Sequence, residues 1–175
     1  STENWERSRE EVTDLFKLME RFFREEVQTC IDRDIRVAVV GDLSLLDDES
    51  QEVIRRAEEM TRDCRNLYVQ IAISYGGRNE IMRAVRKYAE DVRDGKELPE
   101  NLTEEKLGSY LDTKDVPDID LVIRSGGNHR LSNFFPWQTV YSEIWFSDVL
   151  WPDFTQELLK EALDYYEKIQ INKGK

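Results

Sequence analysis

The sequence predicts an α/β protein: an open, mainly parallel sheet with helices on both faces, in a single domain over residues 1–175. Three observations predict it. Four short apolar runs, at 35–40, 67–73, 121–123 and 141–146, are interleaved with longer stretches of helical period, the order that winds a parallel sheet. Three of those runs stop at a turn signal: Gly41-Asp42, Ser74-Tyr75-Gly76-Gly77-Arg78-Asn79, and Ser125-Gly126-Gly127. In such sheets ligands bind at the carboxyl ends of the strands. The composition, 39% hydrophobic and 35% charged over 175 residues, is that of a globular domain with room for a substantial core.

Taken in order, residues 1–7 have no strand or helix period. They read equally well as a frayed terminus or as a loop that presents Asn4, Trp5 and Arg7 beside a helix start. Ser8 and Glu11 are spaced as a capping box. Val12, Leu15, Phe16, Met19, Phe22, Phe23 and Val27 then recur at helical spacing, predicting one long amphipathic helix to about Cys30 whose aromatic face is either ordinary core or a lipid site. The run 35–40 is β-branched, as in a buried parallel strand. Asp47, Asp48 and Glu49 place acid at the start of a second helix, with Val53, Ile54, Ala57 and Met60 as its buried stripe. A helix after the 74–79 turn runs through Ile81, Ala84, Val85, Tyr88 and Val92 to Gly95. Pro99 marks a polar connection, Thr103 caps a short helix reaching Leu111, and after Pro152 a last helix spans 155–169 before a polar tail.

The block 119–154 is the most specific part of the chain. The run Leu121-Val122-Ile123 ends at Arg124, and the glycines after it let the backbone turn tightly and present N–H groups. Asn128, His129, Arg130, Ser132 and Asn133 follow, so the segment reads as an anion cradle. In 141–146 a single acid, Glu143, stands among apolar neighbours, and such a carboxylate needs a partner: a metal, or an arginine such as Arg124 or Arg130.

The net charge of -12 argues against nonspecific nucleic-acid binding, so any phosphate must be held by a local arginine group working against the overall field. No apolar run reaches the roughly 20 residues that span a bilayer, and the first residues lack signal-peptide order. Cys30 and Cys64 have no metal-ligand spacing and read as reduced structural thiols of a cytoplasmic protein.

The string RSGGNHRLSNFFPWQ, followed by YSEIWFSDVLWPDF, resembles the C-terminal signature of the cis-prenyltransferases, the undecaprenyl diphosphate synthase family. STENWER at 1–7, Gly41-Asp42 and Ser74-Tyr75-Gly76-Gly77-Arg78 resemble the family's other landmarks in the right order, so the likeness spans nearly the whole chain. The acidic residues 47–49 lack the D-D-x-x-D form of trans-type synthases. The resemblance implies the cis-prenyltransferase fold and repeated condensation of isopentenyl diphosphate onto an allylic diphosphate primer, giving a long-chain polyprenyl diphosphate released toward a membrane. It implies magnesium as cofactor, a homodimer joined through the aromatic-rich region 131–151, and a cytoplasmic or membrane-peripheral location.

Residue by residue, the resemblance makes Asn4 the group near the departing proton. Ser1, Thr2, Glu3, Trp5 and Arg7 become allylic-side substrate contacts, and Arg124, Arg130, Leu131 and Ser132 the holders of the homoallylic diphosphate. Glu143 becomes a magnesium ligand, with His129 beside it. Two departures stand out. Relatives begin with a further segment bearing a catalytic aspartate loop, so a chain starting at Ser1 is expected to be N-terminally incomplete and inactive alone. Asn128 replaces a glutamate, removing an acidic contribution near the metal. Two other readings stay open: a non-catalytic partner subunit of a heteromeric enzyme, and a generic α/β phosphate-binding module.

Overall fold

The computed structural model describes residues 1–6 and 9–169 and resolves into two compact units, Ser1–Lys114 and Asp115–Lys175. Arg7, the Ser8 cap and the polar tail lie outside the described residues. The class is α/β with parallel strands, as expected. The four strands pair as two separate ladders, β1 (Ile35–Val40) with β2 (Leu67–Ala72) and β3 (Leu121–Arg124) with β4 (Glu143–Phe146). An apolar run announces a strand but not its neighbour, so the expected single sheet could not be apportioned in advance.

In the first unit, β1 and β2 run in register from Ile35 opposite Leu67 to Val40 opposite Ala72. The long first helix is broken at Glu26 into α1 (Arg9–Glu25) and α2 (Val27–Asp32). Phe23 of α1 and Val27 and Cys30 of α2 pack on one core with Val37, Ile54 and Ala57; spaced four and three apart, they keep one stripe across the division, and the Glu26 N–H to Phe22 carbonyl bond at 2.9 Å runs on into it. Helix α3 (Asp48–Thr61) is capped by Asp47, whose side chain accepts the Ser50 N–H at 2.7 Å. It packs over β1 and completes that strand. The N–H groups of β1 and its end that β2 leaves unused go to side chains: Val37 to Thr61 Oγ1 at 3.1 Å, Val39 to Glu58 Oε1 at 2.8 Å, and Gly41 to Asp112 Oδ2 at 3.0 Å. An edge so capped no longer offers a row of free donors to another strand. Cys30 and Cys64 are free, and burial pushes the Cys30 thiol up, as suits an inert thiol.

Gly41 closes β1 at φ 130, and a Cβ there would lie 1.9 Å from the Ile73 carbonyl oxygen. Gly41→Ala is therefore expected to destabilise the protein by about 2–3 kcal/mol after the turn relaxes. A urea midpoint unchanged by this substitution would contradict the placement of that turn. Helix α4 (Gly77–Arg93) ends before Gly95 at φ 73, and α5 (Glu104–Gly108) is capped by Thr103.

In the second unit, Leu121 pairs with Glu143 and Arg124 with Phe146. Helix α6 (Gln156–Lys168), capped by Thr155, packs on β4 with Ala162 fully buried.

Candidate functional site

The candidate residues form two clusters, one in each unit. In the first, Thr2–Glu6 form a 3-10 turn docked on the end of β2. The Thr2 N–H donates to the Tyr75 carbonyl and the Trp5 indole to the Ser74 hydroxyl, each at 2.9 Å. The turn itself closes through the Asn4 N–H to the Ser1 carbonyl at 3.0 Å and the Glu3 N–H to the Ser1 hydroxyl at 3.1 Å. Ser1, Asn4 and Trp5 thus border a cavity of about 160 Å³ whose other walls are apolar side chains of α1 and the end of β2. Of the residues expected at an allylic substrate, Ser1 and Trp5 face this apolar space, with Asn4 beside them. The stretch read as a possible frayed terminus is therefore anchored.

Behind this turn lies a charged network that sequence reading missed. Glu80 is 1% exposed on the first turn of α4. Its carboxylate accepts the Tyr75 hydroxyl and the Asp112 N–H, the latter at 2.9 Å. Asp112 takes both ends of the Arg83 guanidinium at 2.9 and 2.6 Å, and these bonds raise the Arg83 pKa against the opposing effect of burial. The network ties the ends of β1 and β2 to α4 and the 109–113 segment. The available signal was spacing: Glu80, Ala84 and Tyr88 are four apart and all buried, so the acid sits on the core stripe.

In the second unit, Arg124 ends β3 and its Nε donates to the Asn128 carbonyl at 3.1 Å, bending the turn back on itself. Gly126 and Gly127 have φ 89 and 70, as a tight turn demands, but their N–H groups are not presented to an anion. They donate to the Val149 and Ser147 carbonyls at 2.8 and 3.0 Å, because the turn pairs with the chain leaving β4. Neither glycine N–H is open to an anion, which corrects the expected glycine contribution. Arg130 and Ser132 are exposed and Leu131 is half-buried. Among the described residues, neither Arg124 nor Arg130 forms an ion pair, so both charges are available.

Glu143 is half-buried on β4, and among the described residues it has no ion pair, to Arg124, Arg130 or any other cation. Its charge acts instead on Tyr166, whose phenol is pushed up by burial first, then by Asp120, with Glu143 adding to it. The His129 ring stacks on Phe146 at 4.6 Å. Strand alternation sets Phe146 and Glu143 on opposite faces of β4, so the structure does not gather His129 and Glu143 as neighbouring ligands. No group of three or more His, Cys, Asp or Glu able to hold a metal occurs among the described residues. None of the described helices is long and apolar enough to cross a membrane.

Comparison with known proteins gives a consistent picture. A family model described as putative undecaprenyl diphosphate synthase matches residues 1–174. An isoprenyl transferase of Clostridium perfringens is 42% identical over 167 residues, covering 95% of this chain and 66% of the relative. A ditrans,polycis-undecaprenyl-diphosphate synthase ((2E,6E)-farnesyl-diphosphate specific) of Yersinia pseudotuberculosis is 42% identical over 166 residues, with the same coverage of 95% and 66%. Among solved structures, lavandulyl diphosphate synthase from Lavandula x intermedia, in complex with dimethylallyl diphosphate, superposes with a TM-score of 0.95 at 34% identity, covering 99% of this chain and 75% of that one. A probable undecaprenyl diphosphate synthase from Campylobacter jejuni gives 0.86 at 37% identity, covering 99% and 79%. The chain spans about 66% of the length of the curated relatives it matches.

Proposed function

Because the chain belongs to the undecaprenyl diphosphate synthase family of prenyltransferases, we propose that the protein it belongs to condenses isopentenyl diphosphate repeatedly onto an allylic diphosphate, each step adding a cis double bond. The observation that carries this reading is the pair Arg124 and Arg130, flanking the turn at the carboxyl end of β3 with no ion pair among the described residues. Two such guanidiniums can fork onto the oxygens of one diphosphate, with the Ser132 hydroxyl as a further donor and Leu131 against the hydrocarbon. The 1–6 turn lies beside the allylic chain, with Ser1, Thr2 and Glu3 near its diphosphate and Trp5 against its hydrocarbon; Arg7, outside the described residues, is a further candidate contact. Asparagine is a poor base, so Asn4 acts by orienting a water or a phosphate oxygen that takes the departing proton.

Glu143 suits magnesium, a hard ion that takes one or two carboxylates and fills its remaining positions with substrate oxygens and water. Its carboxylate has no competing cation among the described residues. Magnesium held there would supply charge to offset a diphosphate, from the end of the β3–β4 ladder opposite Arg124. His129 joins that site only by leaving its stack on Phe146. Glu143→Gln is expected to raise the magnesium concentration giving half-maximal activity about tenfold or more; an unchanged magnesium dependence would remove Glu143 from the site. Titrating isopentenyl diphosphate into the full-length protein tests the cradle, with saturable one-site binding expected and no binding contradicting it.

We further propose one cytoplasmic domain comprising both units, peripheral to the membrane that receives the product, and assembled as a homodimer through the aromatic surface of 131–151. Tyr141 and Trp151 are 72% and 73% exposed, with Val140 and Leu150 exposed next to them in sequence and Phe134 exposed in the same region, which is more apolar surface than a short strand and helix leave to water. Light scattering at micromolar concentration should report a dimer; a monomer would exclude this interface.

A further inference from the structure

The acceptor that holds Trp5 occupies an unusual position. Ser74 is 5% exposed and has φ 49, a left-handed conformation that costs a non-glycine residue about 1–3 kcal/mol. Its carbonyl is taken by the Asp42 N–H at 3.1 Å, which fixes the turn between β2 and α4, and its hydroxyl accepts the Trp5 indole N–H at 2.9 Å. Trp5 leans on Phe16, ring centroids 5.1 Å apart. Trp5, Val12 and Phe16 line both the cavity of about 160 Å³ and a second of about 340 Å³ that reaches Leu45 and Asp47, so the ring pair is part of a wall the two share. Trp5 is itself 37% exposed, and its indole N–H is held by Ser74 while its ring rests on Phe16.

We propose that Ser74 is a positioning residue for prenyl transfer: its left-handed backbone aims the hydroxyl at the Trp5 indole, and this bond sets both the Trp5–Phe16 wall and Asn4, the residue before Trp5. The activity part of this inference rests on the function proposed above; the hydrogen-bond part does not. A serine needed only for its turn makes a different prediction, and two substitutions separate the cases. Ser74→Gly deletes the hydroxyl but accepts φ 49 more readily than serine does. Ser74→Asn keeps an acceptor and tolerates the left-handed region.

The experiment follows full-length protein by the indole N–H resonances of its tryptophans, with Trp5 assigned through Trp5→Phe, alongside thermal midpoint, kcat and KM. In Ser74→Gly the Trp5 indole resonance alone should move upfield, the midpoint should stay or rise, and kcat should fall about tenfold or more, as small misplacements of reacting groups do. Ser74→Asn should recover a hydrogen-bonded indole and most of kcat. An unmoved Trp5 resonance in Ser74→Gly overturns the proposal, as does a kcat that falls only in step with the midpoint. A moved resonance with unchanged kcat overturns the positioning role and leaves prenyl transfer standing. If the unsubstituted protein shows no prenyl transfer, the proposed function fails instead, and the resonance still decides whether Ser74 holds Trp5.

Discussion

Replacing Arg130 by alanine is expected to weaken binding of isopentenyl diphosphate by about 2–4 kcal/mol, roughly 30- to 1000-fold in affinity. The size of the effect follows from the surroundings. The chain carries a net charge of -12, so a diphosphate approaches against the overall field and depends on local cations. The Gly126 and Gly127 N–H groups are committed to the Ser147 and Val149 carbonyls and do not substitute for a lost guanidinium. Arg124 remains, but its Nε is committed to Asn128. Arg130→Lys keeps the charge and loses the fork, and should recover only part of the loss. Calorimetry showing unchanged affinity in Arg130→Ala would place the diphosphate elsewhere.

Glu80→Ala is expected to cost about 3–5 kcal/mol of stability, the range for breaking a buried charged network by removing one member. The substitution takes the acceptor from the Tyr75 hydroxyl and from the Asp112 N–H at a site 1% exposed, and leaves a cavity as well. It also loosens Asp112, which holds Arg83 and the Gly41 N–H, so the ends of β1 and β2 lose a common tie. Glu80→Gln keeps the shape and one acceptor and should cost clearly less. Urea unfolding of the three proteins checks the order, and a Glu80→Ala midpoint within error of the parent would mean that the network carries no load.

Much of the fold was legible because it is written locally. The four apolar runs became β1 to β4, and Asp47, Thr103 and Thr155 cap the helices they precede. The division at Glu26 was not legible, since the apolar stripe passes through it unbroken. The site divides in the same way. Arg124 and Glu143 stand out by residue type, a cation closing β3 and an acid opening β4, and Arg130 and Ser132 by following the glycine turn; their roles are proposals. Glu80 does not stand out, because a carboxylate in the first turn of a helix reads as a solvated dipole partner until Ala84 and Tyr88 are seen to share its buried face. Its partner Asp112 lies 32 residues on, a distance no local pattern spans. Likewise the engagement of Gly126 and Gly127 depends on the strand exit at 147–149, so the glycines signalled a turn but not what their N–H groups would meet.

The proposed cis-prenyl transfer at Arg124 and Arg130 is tested most directly by incubating the full-length protein with magnesium, a short allylic diphosphate and radiolabelled isopentenyl diphosphate, then resolving the products by length and double-bond geometry. Labelled polyprenyl diphosphate whose added units are cis is expected, with formation abolished by chelating magnesium and strongly reduced in Arg130→Ala at substrate below saturation. Absence of labelled product from folded full-length protein, or product whose added units are trans, would contradict it.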